Sequence, residues 1–253
     1  CVDGTVENTL IEFIQELCVG GSPGQIFLAG DNGIMIVLVD DDFKPGCVEE
    51  EKKLLDSLGI KCTFAAIPRE HDGEICFTEH EKQIIREWQE EGFSFVMHPI
   101  HNGWYTNSRN EFLGIDYCEN ILRMTIEAFE DSPAEDWHDY IVYPGGCNSN
   151  PEMVEMMAKY CKYGIAASKT SLAARIVPNE KITQYSRVFL SPGKYTVEEY
   201  KQQIRDSISD YGFVILGTHS WQYDKSNYSI LIEILEYAKG LGKFVTLQEA
   251  LKR

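Results

Sequence analysis

Ile34-Met35-Ile36-Val37-Leu38-Val39-Asp40-Asp41-Asp42-Phe43 is an apolar run that stops on three consecutive carboxylates. Adjacent like charges repel and raise one another's pKa values. Such a cost is tolerated where a cation or a reacting proton sits among them. A second short apolar run, Phe93 to Met97, ends on His98-Pro99-Ile100-His101-Asn102. Carboxylates at one strand end and imidazoles at another are the donor set of a divalent-metal hydrolase site. The alternative for the acids is a charged loop capping the following helix, although a helix start does not need three of them.

From residue 34 onward, strand-like and helix-like runs alternate. The strands are read at Ile34–Val39, Cys62–Ile67, Phe93–Met97, Tyr140–Tyr143, Gly164–Ala167, Val188–Leu190, Phe213–Gly217 and Phe244–Leu247. The helices are read at Val48–Leu58, His80–Glu91, Tyr117–Phe129, Pro151–Tyr160, Val197–Tyr211 and Tyr228–Lys239. Asn150-Pro151 and Thr196-Val197 are sound helix starts, and Gly59, Gly92 and Gly240 are sound stops. The alternation predicts an α/β fold, a distorted (β/α) barrel of seven or eight units, spanning residues 34–253. Residues 1–33 read as a lead segment, with an amphipathic helix over 5–18 broken by Gly20-Gly21-Ser22-Pro23-Gly24 and a short strand at 25–29.

Composition narrows the partners. The chain has 253 residues, 43% hydrophobic, with 23 basic and 40 acidic residues and a formal charge of −17. That balance argues against nucleic acid and anionic membranes as partners. No run is long and apolar enough to cross a bilayer. Eight cysteines are scattered with no CxxC pair, which predicts mostly free, buried thiols rather than a zinc ribbon or disulfide scaffold.

In a barrel of this kind the functional residues sit at the C-terminal ends of the strands. Asp40 to Asp42, His98, Tyr143-Pro144-Gly145-Gly146 and Thr218-His219-Ser220-Trp221 all lie at such ends. In order and spacing these segments resemble the motifs of the polysaccharide deacetylase family (NodB-homology domain). Val39-Asp40-Asp41-Asp42-Phe43 resembles its T-F-D-D-G, Lys61-Cys62-Thr63-Phe64-Ala65 its K-A-T-F-F strand, and Gly92 through His98 its G-H-E-I-G-N-H. Val142 through Gly146 resembles its R-x-P-x-G, and Leu216-Gly217-Thr218-His219 its L-x-H, one residue longer than usual.

The resemblance implies a metal-dependent hydrolase that removes acetyl groups from an N- or O-acetylated glycan. It implies Asp41 as the base and His219 as the general acid. A divalent metal, with zinc as the expected ion, would be held by Asp42, His98 and His101. Tyr143, Pro144, Gly145, Trp104 and Trp221 would line the substrate, with the Gly145 N–H offered to a developing oxyanion. An extracellular or cell-envelope location is implied by the resemblance alone. Asp40 and Asp41 remain the alternative base and metal pair. The family's H-[ST]-x-x-H spacing points from His98 to Asn102, so either His101 or Asn102 fills the third position.

Two departures stand out. Val142 replaces the arginine that orients the base in the family, and no acidic partner for His219 is visible. Arg187 is a candidate substitute for the first loss, the other reading being a surface arginine. Trp88 and Trp137 read as packing residues. These departures keep two competitors open: a non-catalytic carbohydrate- or protein-binding member of the same fold, and a hydrolase of small-molecule C–N bonds.

Overall fold

The computed structural model describes residues 33–41, 43, 46–99, 113–144, 150–168, 179–224 and 226–251. Residues 1–32 of the lead segment, Asp42, His101, Asn102, Trp104 and Gly145 lie outside them. In chain order the elements are β1 (Ile34–Asp41), α1 (Val48–Leu58), β2 (Thr63–Ala66), β3 (Arg69–His71), β4 (Glu74–Cys76), α2 (Glu79–Glu90), β5 (Ser94–Met97), α3 (Ile115–Glu130) and β6 (Tyr140–Val142). They continue with α4 (Pro151–Met157), β7 (Tyr163–Ser168), β8 (Thr183–Phe189), α5 (Val197–Tyr211), β9 (Phe213–His219), α6 (Tyr228–Leu241), β10 (Gly242–Val245) and α7 (Leu247–Leu251).

The main sheet runs β10-β1-β2-β5-β6-β7-β8-β9, and β1 also pairs with β9. That last pairing closes a parallel seven-strand barrel, with β10 as an extra strand beside β1. The lower half of β1, Ile34 to Val37, pairs with Gly242 to Val245, while Val39 to Asp41 pairs with Thr63 to Ala65. Gly242 permits this close approach, because a Cβ there would overlap the backbone of Ile34.

Side chains alternate across a strand with period two, and here the alternation separates two cores. Met35, Val37 and Val39 face the bore together with Ala65, Val96, Tyr140, Val142, Ile165, Phe213 and Ile215. Ile36 and Leu38 face the helix layer, where Phe43, Phe64, Trp88 and Phe95 form an aromatic cluster. Trp88 and Trp137 are buried in this outer core, as the sequence predicts.

The end of the barrel opposite the C-terminal strand ends is filled by rings. Tyr140 stacks on Tyr163 at 5.2 Å between centroids, and Tyr185 meets Phe213 edge-on at 5.6 Å. Leu247, Ala250 and Leu251 of α7 pack into the same cluster, and the Tyr163 hydroxyl donates to the Leu251 carbonyl at 3.2 Å.

Two helix starts carry reciprocal caps, Thr78 with Glu81 on α2 and Thr196 with Glu199 on α5. Asn150 caps α4 through the N–H groups of Glu152 and Met153, ahead of Pro151 at the first turn. The structure corrects several expectations. β8 begins at Thr183 rather than Val188; α6 runs through Gly240 and stops at Gly242; the last strand ends at Val245, with α7 beginning at Leu247; and an antiparallel hairpin, β3–β4, occupies a stretch to which no strand was assigned. The missed α7 had a signal: Thr246 and Glu249 exchange cap hydrogen bonds at 2.9 and 3.2 Å. Cys47, Cys62, Cys76, Cys118 and Cys161 are free thiols. Among the described residues no helix is long and apolar enough to cross a membrane.

Candidate active site

β1 sets the centre of the site. Its inward positions continue Met35, Val37, Val39 to Asp41, which reaches the mouth of the bore. Asp41 is directly in register with His219 on β9 and with Ala65 on β2. Arg187 stands on the inward face of β8, two residues beyond Tyr185, and is only 2% exposed. It grips Asp41 with both arms of its guanidinium, Nη1 to Oδ1 at 2.6 Å and Nη2 to Oδ2 at 2.9 Å. Its Nε–H donates to the Ala166 carbonyl at 2.9 Å, which fixes the fork. This bidentate geometry is the strong form of a charge-assisted hydrogen bond. The reading of Arg187 as a surface residue is overturned. The strand that carries it starts five residues earlier than its apolar end suggested, and this places Arg187 in the interior.

Burial alone would raise the Asp41 pKa. The Arg187 guanidinium outweighs burial, with smaller contributions from His98 and His219, and holds the carboxyl below its ordinary 3.8. Asp41 is therefore an ionised, rigidly aimed carboxylate.

His219 ends β9 with Nε2 3.9 Å from Asp41 Oδ2. Its ring lies between Phe189, at 4.7 Å, and Trp221, stacked at 5.1 Å. Trp221 is 45% exposed and forms part of the rim. Gly217 makes room for this arrangement, since a Cβ there would lie 2.6 Å from the Phe189 ring and 3.3 Å from the Arg187 side chain.

His98 follows β5 and is buried. Its Nδ1 lies 2.7 Å from the Pro99 carbonyl. A carbonyl can only accept, so Nδ1 carries the proton and a neutral ring has its lone pair on Nε2. A backbone partner of this kind orients metal-binding histidines. His98 is thus chemically suited to the expected ligand role. Among the described residues no group of three or more His, Cys, Asp and Glu side chains is gathered as a metal site. The other two expected ligands, Asp42 and His101, lie outside the described residues, as do Gly145 and Trp104.

Tyr143 does not line the mouth. It follows β6 on the helix-facing side, is 1% exposed, and lies against Gly164, where a Cβ would overlap its ring. The same alternation that turns Val142 into the bore turns Tyr143 away from it, into the outer core. Pro144 beside it is also buried.

Asp40 faces outward, toward α1. Its Oδ2 accepts the Ser220 N–H at 2.7 Å and the Thr218 hydroxyl at 3.0 Å. The same hydroxyl lies 3.1 Å from Glu51 Oε1. Asp40 Oδ1 and Glu51 Oε2 receive no hydrogen bond from a protein donor among the described residues. The Thr218 hydroxyl thus brings two buried carboxyl groups together. Burial, then the charge of Glu51, pushes Asp40 well above 3.8, and burial raises Glu51 above 4.5. Glu51 was missed in the sequence, although a signal existed. It stands with Val48 and Leu55 on the buried face of an amphipathic helix, a position where an acid is out of place.

No family model matches the sequence, and no curated protein matches it. Solved structures do match. One is the CE4 domain of a multidomain xylanase from the hindgut metagenome of Trinervitermes trinervoides, 18% identical, with a TM-score of 0.56 over 87% of this chain and 91% of that one. A second is a family 4 carbohydrate esterase from Streptomyces lividans in complex with acetate, 15% identical, with a TM-score of 0.55 over 85% and 92%. A third is a CE4 family pseudoenzyme from Bacillus anthracis, 14% identical, with a TM-score of 0.54 over 91% and 70%. The closed barrel, with Asp41, His98 and His219 at its C-terminal end, therefore has the fold of the family 4 carbohydrate esterases.

Proposed function

We propose that this protein is a metal-dependent hydrolase that removes acetyl groups from an acetylated glycan. The observation that carries the reading is the fork of Arg187 on Asp41. The position where the resembled family keeps its base-orienting arginine holds Val142, and an arginine from a different strand supplies the same contact. Held ionised, Asp41 can accept the proton of an attacking water. His219, beside it on the neighbouring strand, can give a proton to the departing amine or alkoxide. Trp221 offers an exposed ring face at the rim. Of the two base and metal frames open in the sequence, the outward direction of Asp40 supports Asp41 as base with Asp42 as ligand. Asp42, His98 and His101 would hold a divalent cation such as zinc, which when bound polarises an acyl oxygen and a water. An acetyl xylan esterase of this fold from Clostridium thermocellum, 15% identical with a TM-score of 0.51, was solved with a cobalt ion.

Calorimetric titration of zinc into chelator-stripped protein should show one tight site per chain, lost in His98→Ala. Acetate release from acetylated xylan and chitin oligomers should then fall by about 10²–10⁴-fold in Asp41→Asn and in His219→Ala. Unchanged turnover in either variant would sink the assignment. A second reading, a glycan- or protein-binding module without hydrolysis, is favoured by Asn102 at the expected histidine position. Glycan binding indifferent to chelator, with no acetate released, would establish it instead.

A further inference from the structure

Behind the mouth lies a buried group of contacts that the proposed chemistry does not use. Asp40 and Thr218 are register partners, one step before the register pair Asp41 and His219. The two pairs point to opposite sides of the barrel wall. The inner pair faces the bore. The outer pair meets Glu51 on α1, and all three outer side chains are 0% exposed. The Asp40 carboxylate also holds the Ser220 N–H, the amide immediately after His219. The backbone on either side of His219 is thereby tied to β1, and the tie is backed by Glu51. A carboxyl on the buried face of a helix is a costly choice where a leucine would pack.

We propose that Glu51 is a positioning residue. From α1 it fixes, through Thr218 and Asp40, the backbone turn that holds His219 beside Asp41 and Trp221 at the rim. The catalytic part assigned to His219 rests on the function proposed above; the positioning itself does not.

Three full-length variants test this. Glu51→Leu fills the space but removes the polar partner 3.1 Å from the Thr218 hydroxyl. Thr218→Val removes only the bridging hydroxyl. Glu51→Gln keeps a polar group of the same shape beside the Thr218 hydroxyl. In nuclear magnetic resonance spectra of the zinc-loaded protein, the Ser220 amide should exchange about tenfold or more faster in Glu51→Leu and Thr218→Val. The His219 ring signal should shift or broaden in both. Glu51→Gln should keep the wild-type values. Unchanged Ser220 exchange and an unchanged His219 signal in a folded Glu51→Leu would overturn the proposal. If that variant does not fold, the same result in Thr218→Val, which keeps the side-chain volume, would overturn it. Where the wild type releases acetate, Glu51→Leu should lower kcat with KM held and Glu51→Gln should restore it; a change confined to KM counts against positioning. A wild type that releases no acetate removes the functional reading alone, and the amide and ring signals then decide the matter.

Discussion

At the scale of single residues, the contact between Arg187 and Asp41 is the one most exposed to test. Both groups are buried, and a charge deprived of its partner there is expected to cost about 3–5 kcal/mol. Arg187→Met should therefore unfold at markedly lower denaturant concentration, and the double variant Arg187→Met/Asp41→Asn should recover part of the loss. Additive losses in that cycle would mean that the pair does not couple. Arg187→Lys keeps the charge but not the fork, and should fall between wild type and Arg187→Met. Glu51 makes a prediction about pH. Its folded pKa lies above the ordinary 4.5 because of burial. As pH rises through 4.5 the unfolded chain gives up a proton that the folded pair keeps, so the folded state loses stability until the pair itself ionises. Glu51→Gln removes that penalty. Its melting temperature relative to wild type should therefore be higher at pH 8 than at pH 4.5, and an equal difference at both would refute the raised pKa of Glu51. Of these residues Asp41 was legible in the sequence, because it ends a strand. Arg187 was half-legible, because its strand is too polar at Thr183 and Gln184 to announce its start. Glu51 was readable only as an anomaly on its helix.

Among the elements, the sequence located most strands and helices because their signals are local. The bounds of α1 and α5 coincide with the expected Val48–Leu58 and Val197–Tyr211, as apolar spacing marks both, Gly59 stops α1 and Thr196 caps the start of α5. Thr196→Ala should lower stability by about 1 kcal/mol through loss of the α5 cap, measurable as a shifted denaturation midpoint with an unchanged slope. Alternation within a strand was less accessible. It is period two, so a one-residue uncertainty in register inverts every assignment. This is why Tyr143 was placed at the mouth and why two frames stayed open for the aspartates. β9 supplies the sharpest test at this scale. Gly217→Ala would drive a methyl into Phe189 and the stem of Arg187. It should destabilise by about 1–3 kcal/mol and weaken the hold on Asp41; a variant as stable as wild type would show that the two side chains can yield.

For the molecule as a whole, closure was foreseeable from the count of alternating units. How the far end is filled was not. The tyrosines that fill it lie on different strands, and their meeting depends on tilt and stagger that no local pattern encodes. Removing residues 247–253 would strip Leu247 and Leu251 from that cluster. It should lower the melting temperature and expose tyrosine to solvent, both readable by thermal denaturation followed through fluorescence; an unaltered transition would mean that α7 is dispensable. The filling also governs traffic. Among the described residues, side chains pack through the bore with α7 beneath them and close its far end. Whatever reaches Asp41 arrives over the rim that Trp221 helps to form and departs by the same door. On the function proposed above, incoming and outgoing molecules take turns at that rim, and only the unit of a long chain lying across the opening is served.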